Sequence, residues 1–167
     1  MSYDTELLDL ARSCVKENRH AGRLVTTAES CTGGLVAALL TEVPGASAVL
    51  DRAFITYSNR AKLDMLAVPA ALLERFGAVS EPVALAMAEG ALAASNAGVA
   101  VAISGVAGPD GGSAEKPVGT VVFARAVRAA DGSGDVETIV ETCHFGALGR
   151  SEVRRQAVLV ALRLLLP

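Results

Sequence analysis

The chain has 167 residues, 51% hydrophobic and only 4% aromatic, which predicts a single domain over residues 1–167 with a core of Ala, Val and Leu. Its net charge of −3, with arginines scattered along the chain, argues against nucleic acid as the main partner. Three cysteines without disulfide or metal spacing, an acidic start without a secretion signal, and no membrane-length apolar run predict a cytoplasmic protein with no membrane partner.

Helices and strands alternate in the first part of the chain. Residues 7–15 place apolar side chains at helical spacing, with Asp4 or Thr5 as the cap and Gly22 as the stop. The next predicted elements are a strand at 23–28, a helix at 33–43, a strand at 49–58, short helices at 59–68 and 69–77, and a long helix that Ser80 caps and that ends near Asn96.

The second part adds a buried strand and a hairpin. Residues 99–104 are almost wholly apolar, as in a strand that is buried on both faces. The remaining predicted elements are a glycine-rich loop at 105–117, strands at 119–127 and 137–145 around a hairpin connection at 128–135, and a helix at 151–166 that Ser151 caps. This order predicts an α/β fold, a three-layer α/β/α sandwich with a mixed, mostly parallel sheet.

The segment Ser-Cys-Thr-Gly-Gly at 30–34 joins the first strand to the second helix. We expect the backbone N–H groups of Thr32, Gly33 and Gly34 to lack partners there, which would create a site for an oxyanion or phosphate. The alternative is that Ser30 or Thr32 only caps the helix. Cys31 is a rival nucleophile, although a small buried cysteine is the commoner role.

A second polar cluster follows the second strand. Tyr57 and Asn59 lie where that strand gives way to a helix, and Lys62 falls about one turn into the helix. The chain has only three lysines, so an arginine would be the default cation here. Lysine can be neutral and arginine cannot. The alternative is an ordinary exposed helical lysine.

The glycine-rich stretch at 103–119 follows the buried strand. Open α/β sheets bind ligands at the carboxyl ends of their strands, and a plain connection of this length would be unusual. This position indicates a ligand-binding loop.

The two histidines argue against a Ser-His-acid triad. His144 lies within a predicted strand and His20 ends the first helix, so neither has the setting of a catalytic base. No residues have metal-ligand spacing, and we expect neither a metal nor a cofactor.

Five motifs together resemble those of the CinA C-terminal domain family. They are AESCTGGL at 28–35, YSNRAKLDMLAV at 57–68, GAVSE at 77–81, SGVAGPDGG with KPVGTV between 104 and 121, and GRSEVRRQA at 149–157. The resemblance runs from about Leu7 to Leu166. In its length the chain is similar to the stand-alone members, which are nicotinamide mononucleotide amidohydrolases.

The resemblance implies hydrolysis of the carboxamide of nicotinamide mononucleotide to nicotinic acid mononucleotide and ammonia, without a metal. It implies Ser30 as the nucleophile, with Lys62 and Tyr57 as the supporting pair. Three further residues match positions that line the family's site: Ser80, Ser104 and Arg150. The family often has an acid before Arg150, where this chain has Gly149.

A serine nucleophile needs a base, and Lys62 can be one only if its pKa falls from about 10.4 towards neutrality. Tyr57 either relays the proton or holds Lys62. Backbone N–H groups from Cys31 to Gly34 would stabilise the oxyanion. The other substrate-binding candidates are Asn59, Gly105, Gly108, Lys116 and Arg150, with the glycine-rich loop, Lys116 and Arg150 as the donors to the phosphate.

Three other functions fit the same residues. They are a nucleotide-binding or regulatory module without chemistry, a Ser/Lys amidase of a different amide, and a thiol enzyme that uses Cys31. A small-molecule nucleotide is the expected partner, and the alanine-rich helical surface is compatible with a homodimer.

Overall fold

The computed structural model describes residues 4–129 and 133–167, and it begins with a helix that Asp4 caps by accepting a hydrogen bond from the N–H of Leu7. Within the described residues the α-helices are α1 (Thr5–His20), α2 (Leu35–Thr41), α3 (Asn59–Leu66), α4 (Ala70–Phe76), α5 (Glu81–Ala93) and α6 (Arg150–Leu164), and a short 3-10 helix spans Ala46–Ala48. The strands are β1 (Val25–Glu29), β2 (Leu50–Ile55), β3 (Val99–Gly105), β4 (Thr120–Arg128) and β5 (Val136–His144). The predicted elements are confirmed in type and order.

The five strands form one mixed sheet in the order β2-β1-β3-β4-β5. The pairs β1–β2 and β1–β3 are parallel, whereas β4 is antiparallel to β3 and to β5. Four strands therefore run in one direction, and the predicted mixed, mostly parallel sheet is confirmed. The antiparallel end arises from the predicted hairpin, although residues 130–132 of its connection lie outside the described residues.

Helices cover both faces of the sheet, and the central strand β3 is apolar on both of its sides. Val99, Val101 and Ile103 pack on the side of α1, α2 and α6. Ala100 and Ala102 face the opposite layer, which α3, α4 and α5 form. The predicted three-layer α/β/α sandwich is confirmed.

Two helix caps differ from the prediction. Ser80 occupies the cap position of α5, but its hydroxyl donates to the carbonyl of Gly77 at 2.8 Å and not to the helix. Ser151 lies inside α6, because the helix begins one residue earlier, after Gly149. Gly149 adopts φ 85° and ψ 151°, a conformation that side chains disfavour, and this early start places Arg150 in the first turn.

Candidate active site

The candidate site lies where the carboxyl ends of β1 and β3 meet. In the order β2-β1-β3, the chain passes from β1 to its neighbour β2 and later returns to β3 on the other side of β1. The connections to the two neighbours therefore diverge at the end of β1 and leave a crevice between them. Ser30 directly follows β1, and its N–H donates to the carbonyl of Ile103 in β3 at 2.9 Å. Ser104 and Gly105 end β3, and Tyr57 follows β2. Topology therefore assembles the polar clusters that the sequence singled out.

Ser30 and Lys62 form a buried pair in this crevice. The side-chain Nζ of Lys62 lies 3.1 Å from Ser30 Oγ and donates a second hydrogen bond to the carbonyl oxygen of Thr56 at 2.8 Å. Lys62 is 1% exposed and Ser30 8%. In the described part of the chain, no carboxylate lies within ion-pair distance of Lys62. Lys62 is therefore not an exposed helical lysine.

The environment of Lys62 favours its neutral amine. Burial lowers the pKa of Lys62 from its ordinary value of 10.5, and the smaller influence of Cys31 acts in the opposite direction. A neutral amine has a lone pair that can accept a proton from the hydroxyl beside it. The geometry at Ser30 is that of a nucleophile with a base within hydrogen-bond reach.

The start of α2 differs from the expectation of free N–H groups. The N–H of Gly33 donates to the carbonyl of Ser30 at 3.0 Å, and the N–H of Gly34 donates to the carboxylate of Glu29 at 3.0 Å. The prediction that these two groups are unpaired is wrong, because the turn closes Gly33 onto Ser30 and the Glu29 side chain reaches the N–H of Gly34. Among the described residues, the N–H groups of Cys31 and Thr32 have no backbone or carboxylate acceptor, and the N–H of Cys31 lies against its own thiol.

Tyr57 is hydrogen-bonded to Arg150 and, in the described part of the chain, not to Lys62, the residue that it was expected to support. Its hydroxyl accepts a hydrogen bond from Arg150 at 3.0 Å, and no hydrogen bond joins it to Lys62 or Ser30 within residues 4–129 and 133–167. Arg150 also donates to the carbonyl of Gly108 at 3.1 Å. Arg150 thus connects the segment after β2 to the glycine-rich loop at the mouth of the site.

A cavity of about 220 Å³ opens beside Ser30. Its lining residues are Ser30, Cys31, Tyr57, Lys62, Ala78, Val79, Ser104, Gly105, Ala107 and Arg150. Ser104 donates its hydroxyl to the carbonyl of Ala78 at 2.7 Å, which ties β3 to the segment before α5. Catalytic and binding candidates from all three polar clusters therefore share one cavity.

Other predicted site residues lie outside this cavity. The exposed Asn59 begins α3, and the carbonyl of Gly108 is held by Arg150. Thr32, Gly33 and Gly34 form the turn behind Ser30. Ser80 and Lys116 line a neighbouring cavity of about 420 Å³, which Val79 also lines. Lys116 donates to the carbonyl of Phe76 at 2.6 Å.

Cys31 has the setting of a structural thiol. It is 6% exposed, and burial raises its pKa to about 11. The thiolate is the nucleophilic form of cysteine, so this environment disfavours Cys31 as the nucleophile near neutral pH.

Three residues near the site escaped the sequence-based reasoning. Glu29 holds the start of α2, the carbonyl of Thr56 accepts from Lys62, and Arg154 donates to the carbonyl of Thr32 at 2.9 Å. The sequence did contain a signal for Arg154, because it lies four residues after Arg150 and therefore on the same face of α6. A backbone carbonyl leaves no signal in the sequence.

The described residues hold neither a metal-binding cluster nor a membrane-spanning helix. Residues 4–129 and 133–167 contain no group of three or more His, Cys, Asp or Glu side chains placed to hold a metal ion. No helix in the same ranges is long and apolar enough to span a membrane.

A model of the CinA C-terminal domain matches residues 7–167. The chain belongs to the CinA C-terminal domain family. Within it, the Escherichia coli K12 protein called nicotinamide-nucleotide amidohydrolase PncC is 50% identical over 162 residues, which cover 97% of this chain and 94% of that protein. A CinA-like protein of Anaeromyxobacter dehalogenans is 54% identical over 144 residues, or 86% of this chain, and the match spans 33% of that longer relative.

Solved CinA-family structures have the same fold. The competence/damage inducible protein CihA from Agrobacterium tumefaciens superposes with a TM-score of 0.92 at 48% identity, covering 99% of this chain and 96% of that chain. A CinA superfamily protein from Escherichia coli gives 0.85 at 36% identity, covering 99% and 92%.

Proposed function

We propose that this chain hydrolyses the carboxamide of nicotinamide mononucleotide to nicotinic acid mononucleotide and ammonia, with Ser30 as the nucleophile and Lys62 as its base. The observation that carries the proposal is the buried Lys62 amine, 3.1 Å from Ser30 Oγ, whose pKa burial lowers. The substrate is taken from the amidohydrolase of Escherichia coli, which is 50% identical over nearly the whole chain.

The first half of the reaction forms an acyl-enzyme. Ser30 Oγ bonds to the carboxamide carbon while its proton passes to the neutral amine of Lys62. Backbone N–H groups of Cys31 and Thr32 stabilise the oxyanion, the former because it directly follows the nucleophile. Protonated Lys62 then gives its proton to the amide nitrogen, the C–N bond breaks and ammonia leaves.

The second half releases the acid. Water attacks the acyl carbon and gives a proton to Lys62, the ester bond to Ser30 breaks, and the proton returns to Ser30 Oγ. Tyr57 and Arg150 close the mouth of the cavity and orient the pyridine ring. Arg150 donates to Tyr57, so the phenolic proton of Tyr57 stays available for the substrate.

The two neighbouring cavities divide the nucleotide between them. The cavity of about 220 Å³ beside Ser30 suits a pyridine carboxamide and is smaller than the roughly 300–1,000 Å³ of pockets for larger ligands. The ribose phosphate extends past Val79 into the cavity of about 420 Å³, where Ser80 and Lys116 lie. Lys116 uses one donor on the Phe76 carbonyl and keeps two for a phosphate.

Glu81 and Glu115 also line this outer cavity and oppose an anion there. The hydroxyl of Thr142 donates a hydrogen bond to one carboxylate oxygen of Glu81 at 3.1 Å. Arg150 is a weaker candidate for the phosphate, because it lines the inner cavity beside Ser30 and not the outer cavity where Lys116 lies.

Product analysis tests the proposal. Purified protein is incubated with nicotinamide mononucleotide and a chelator, and ammonia and nicotinic acid mononucleotide are quantified together. Equal amounts of both products are expected. Nucleotide binding without ammonia would favour the binding module, and faster release from free nicotinamide or another amide would favour an amidase of different substrate.

A further inference from the structure

Glu29 is a buried carboxylate that the proposed reaction does not use. It ends β1 immediately before Ser30 and is fully buried. Its Oε2 accepts hydrogen bonds from the N–H groups of Gly34 at 3.0 Å and Val36 at 3.2 Å. Its Oε1 accepts from the N–H of Ala37 at 3.0 Å and from the hydroxyl of Thr27 at 3.3 Å. Burial of an ionised carboxylate is costly unless it is compensated in this way.

These bonds replace the usual cap of α2. The cap residue Gly34 has φ 93° and no side chain to accept from the helix, so the first N–H groups of α2 would lack partners. Glu29 reaches across the intervening turn and binds three of them. A negative charge at this end also complements the helix dipole.

The turn that carries Ser30 is thereby held at both ends. The N–H of Ser30 is bound to the carbonyl of Ile103 on the β3 side, and Glu29 binds the start of α2 on the other. Between these anchors, the N–H of Gly33 is closed onto the carbonyl of Ser30. Among the described residues, the N–H groups of Cys31 and Thr32 have no backbone or carboxylate acceptor.

We infer that Glu29 is a positioning residue, which fills the start of α2 with the protein's own carboxylate and so holds Ser30 Oγ against Lys62. The inference rests on the proposed function. It also implies that the substrate phosphate does not bind at the start of α2, because Glu29 occupies that position. Displacing a reacting group by about 1 Å can cost about 10²-fold in rate, so a small movement of this turn is sufficient.

The test compares Glu29→Gln and Glu29→Asp with Glu42→Gln, which makes the same change at the exposed opposite end of α2. Glutamine keeps the shape but replaces one acceptor oxygen with a donor group. Aspartate keeps the charge but is one methylene too short. We expect kcat to fall about 10–100-fold in both Glu29 variants while KM changes less than about threefold. We expect Glu42→Gln to match the wild type.

A second readout is independent of turnover. We expect the amide resonances of Gly34, Val36 and Ala37 to shift, and their hydrogen exchange to accelerate, in Glu29→Gln but not in Glu42→Gln. Shifted resonances with unchanged kcat would overturn the positioning role, and unchanged resonances would overturn the cap itself. A wild-type protein without amidase activity would refute the proposed function, while the resonances would still test the cap.

A milder variant guards against loss of folding. Thr27→Val is nearly isosteric and removes only the hydroxyl bond to Glu29, at a buried position in β1. We expect a several-fold fall in kcat with KM unchanged. If thermal stability falls as well, and the loss of kcat is proportional to the loss of folded protein, Glu29 has a purely structural role and the inference is overturned.

Discussion

Arg150 donates to the hydroxyl of Tyr57 across 3.0 Å and joins two segments that are distant in the sequence. The same guanidinium donates to the carbonyl of Gly108 at 3.1 Å. This fork-shaped contact depends on the early start of α6 directly after Gly149, which places Arg150 in the first turn. The mouth of the proposed site is therefore built as one connected unit.

The Arg150–Tyr57 contact predicts non-additive effects on turnover. Tyr57→Phe removes the acceptor, and Arg150→Lys replaces the planar fork with a point-charge ammonium, so each is expected to lower kcat/KM about tenfold or more. The double variant should lose little more than the worse single variant, because the two residues share one interaction. Steady-state kinetics of the wild type, the two single variants and the double variant measures this double-mutant cycle. Arg60→Lys, in an exposed pair with Asp64, is the matched control, and additive losses would contradict the coupling.

The pH dependence of kcat/KM reports the state of Lys62. Burial lowers the pKa of Lys62, and the proposed mechanism uses its neutral amine, so the rate should rise with pH and level off below the ordinary value of 10.5. A profile measured between about pH 5 and pH 10 gives the midpoint. A rate that falls across this range would contradict a lysine base.

The stability of the fold should also depend on pH through the lowered pKa of Lys62. The folded pKa of Lys62 lies below its unfolded value, so between these two values unfolding takes up a proton and stability rises with pH. The loss of folding stability that the buried Lys62 amine causes is largest below its folded pKa and vanishes above about 10.4. We expect the wild type to gain stability relative to Lys62→Met as pH rises, by at most about 1.4 kcal/mol per pH unit. Urea unfolding at several pH values measures this difference, and parallel stability curves would contradict the assignment.

Cys31 should be dispensable for turnover. Burial raises the pKa of its thiol to about 11, so the thiol stays protonated near neutral pH. Cys31→Ala retains the backbone N–H that faces the oxyanion in the proposed mechanism and should keep kcat/KM within about tenfold. Cys143→Ala, at a half-buried position, is the control. Complete loss of turnover in a folded Cys31→Ala protein would support the thiol enzyme.

Lys116 should affect binding of the mononucleotide and not the chemical step. Loss of one charge-assisted hydrogen bond costs about 1.5–3 kcal/mol, so Lys116→Met should raise KM for nicotinamide mononucleotide about 10–100-fold with little change in kcat. Nicotinamide riboside, which lacks the phosphate, should react equally well with both proteins. Lys16→Met, whose side chain is 82% exposed, is the control. An equal effect on both substrates would remove Lys116 from the phosphate site.

Much of the architecture could be predicted because local patterns agreed with the fold. Apolar runs such as 99–104 and the helical spacing of 7–15 identified buried elements, and alternating helices and strands identified the layers. The proximity of Ser30 and Lys62 required more, because it depends on β1 and β2 pairing in parallel so that their carboxyl ends meet. The family resemblance supplied that information in advance.

Side-chain hydrogen bonding was the unpredictable part. Glu29 reaches a helix that begins after an intervening turn, and that reach depends on the backbone path through Gly33 and Gly34. Ser80 and Ser151 have good capping side chains, yet neither hydroxyl caps a helix, because neighbouring backbone geometry determines which groups are free. Spacing along the chain does not encode these choices.

Ammonia release by Ser30→Ala most directly tests whether Ser30 is the nucleophile. Wild type, Ser30→Ala and the exposed control Ser13→Ala are compared with nicotinamide mononucleotide in the presence of chelator, and calorimetry measures nucleotide binding by each. Ser30→Ala should lose at least about 10³-fold in kcat while it binds the nucleotide with nearly wild-type affinity, and Ser13→Ala should be unaffected. Turnover within about tenfold of wild type in Ser30→Ala would contradict the Ser/Lys mechanism.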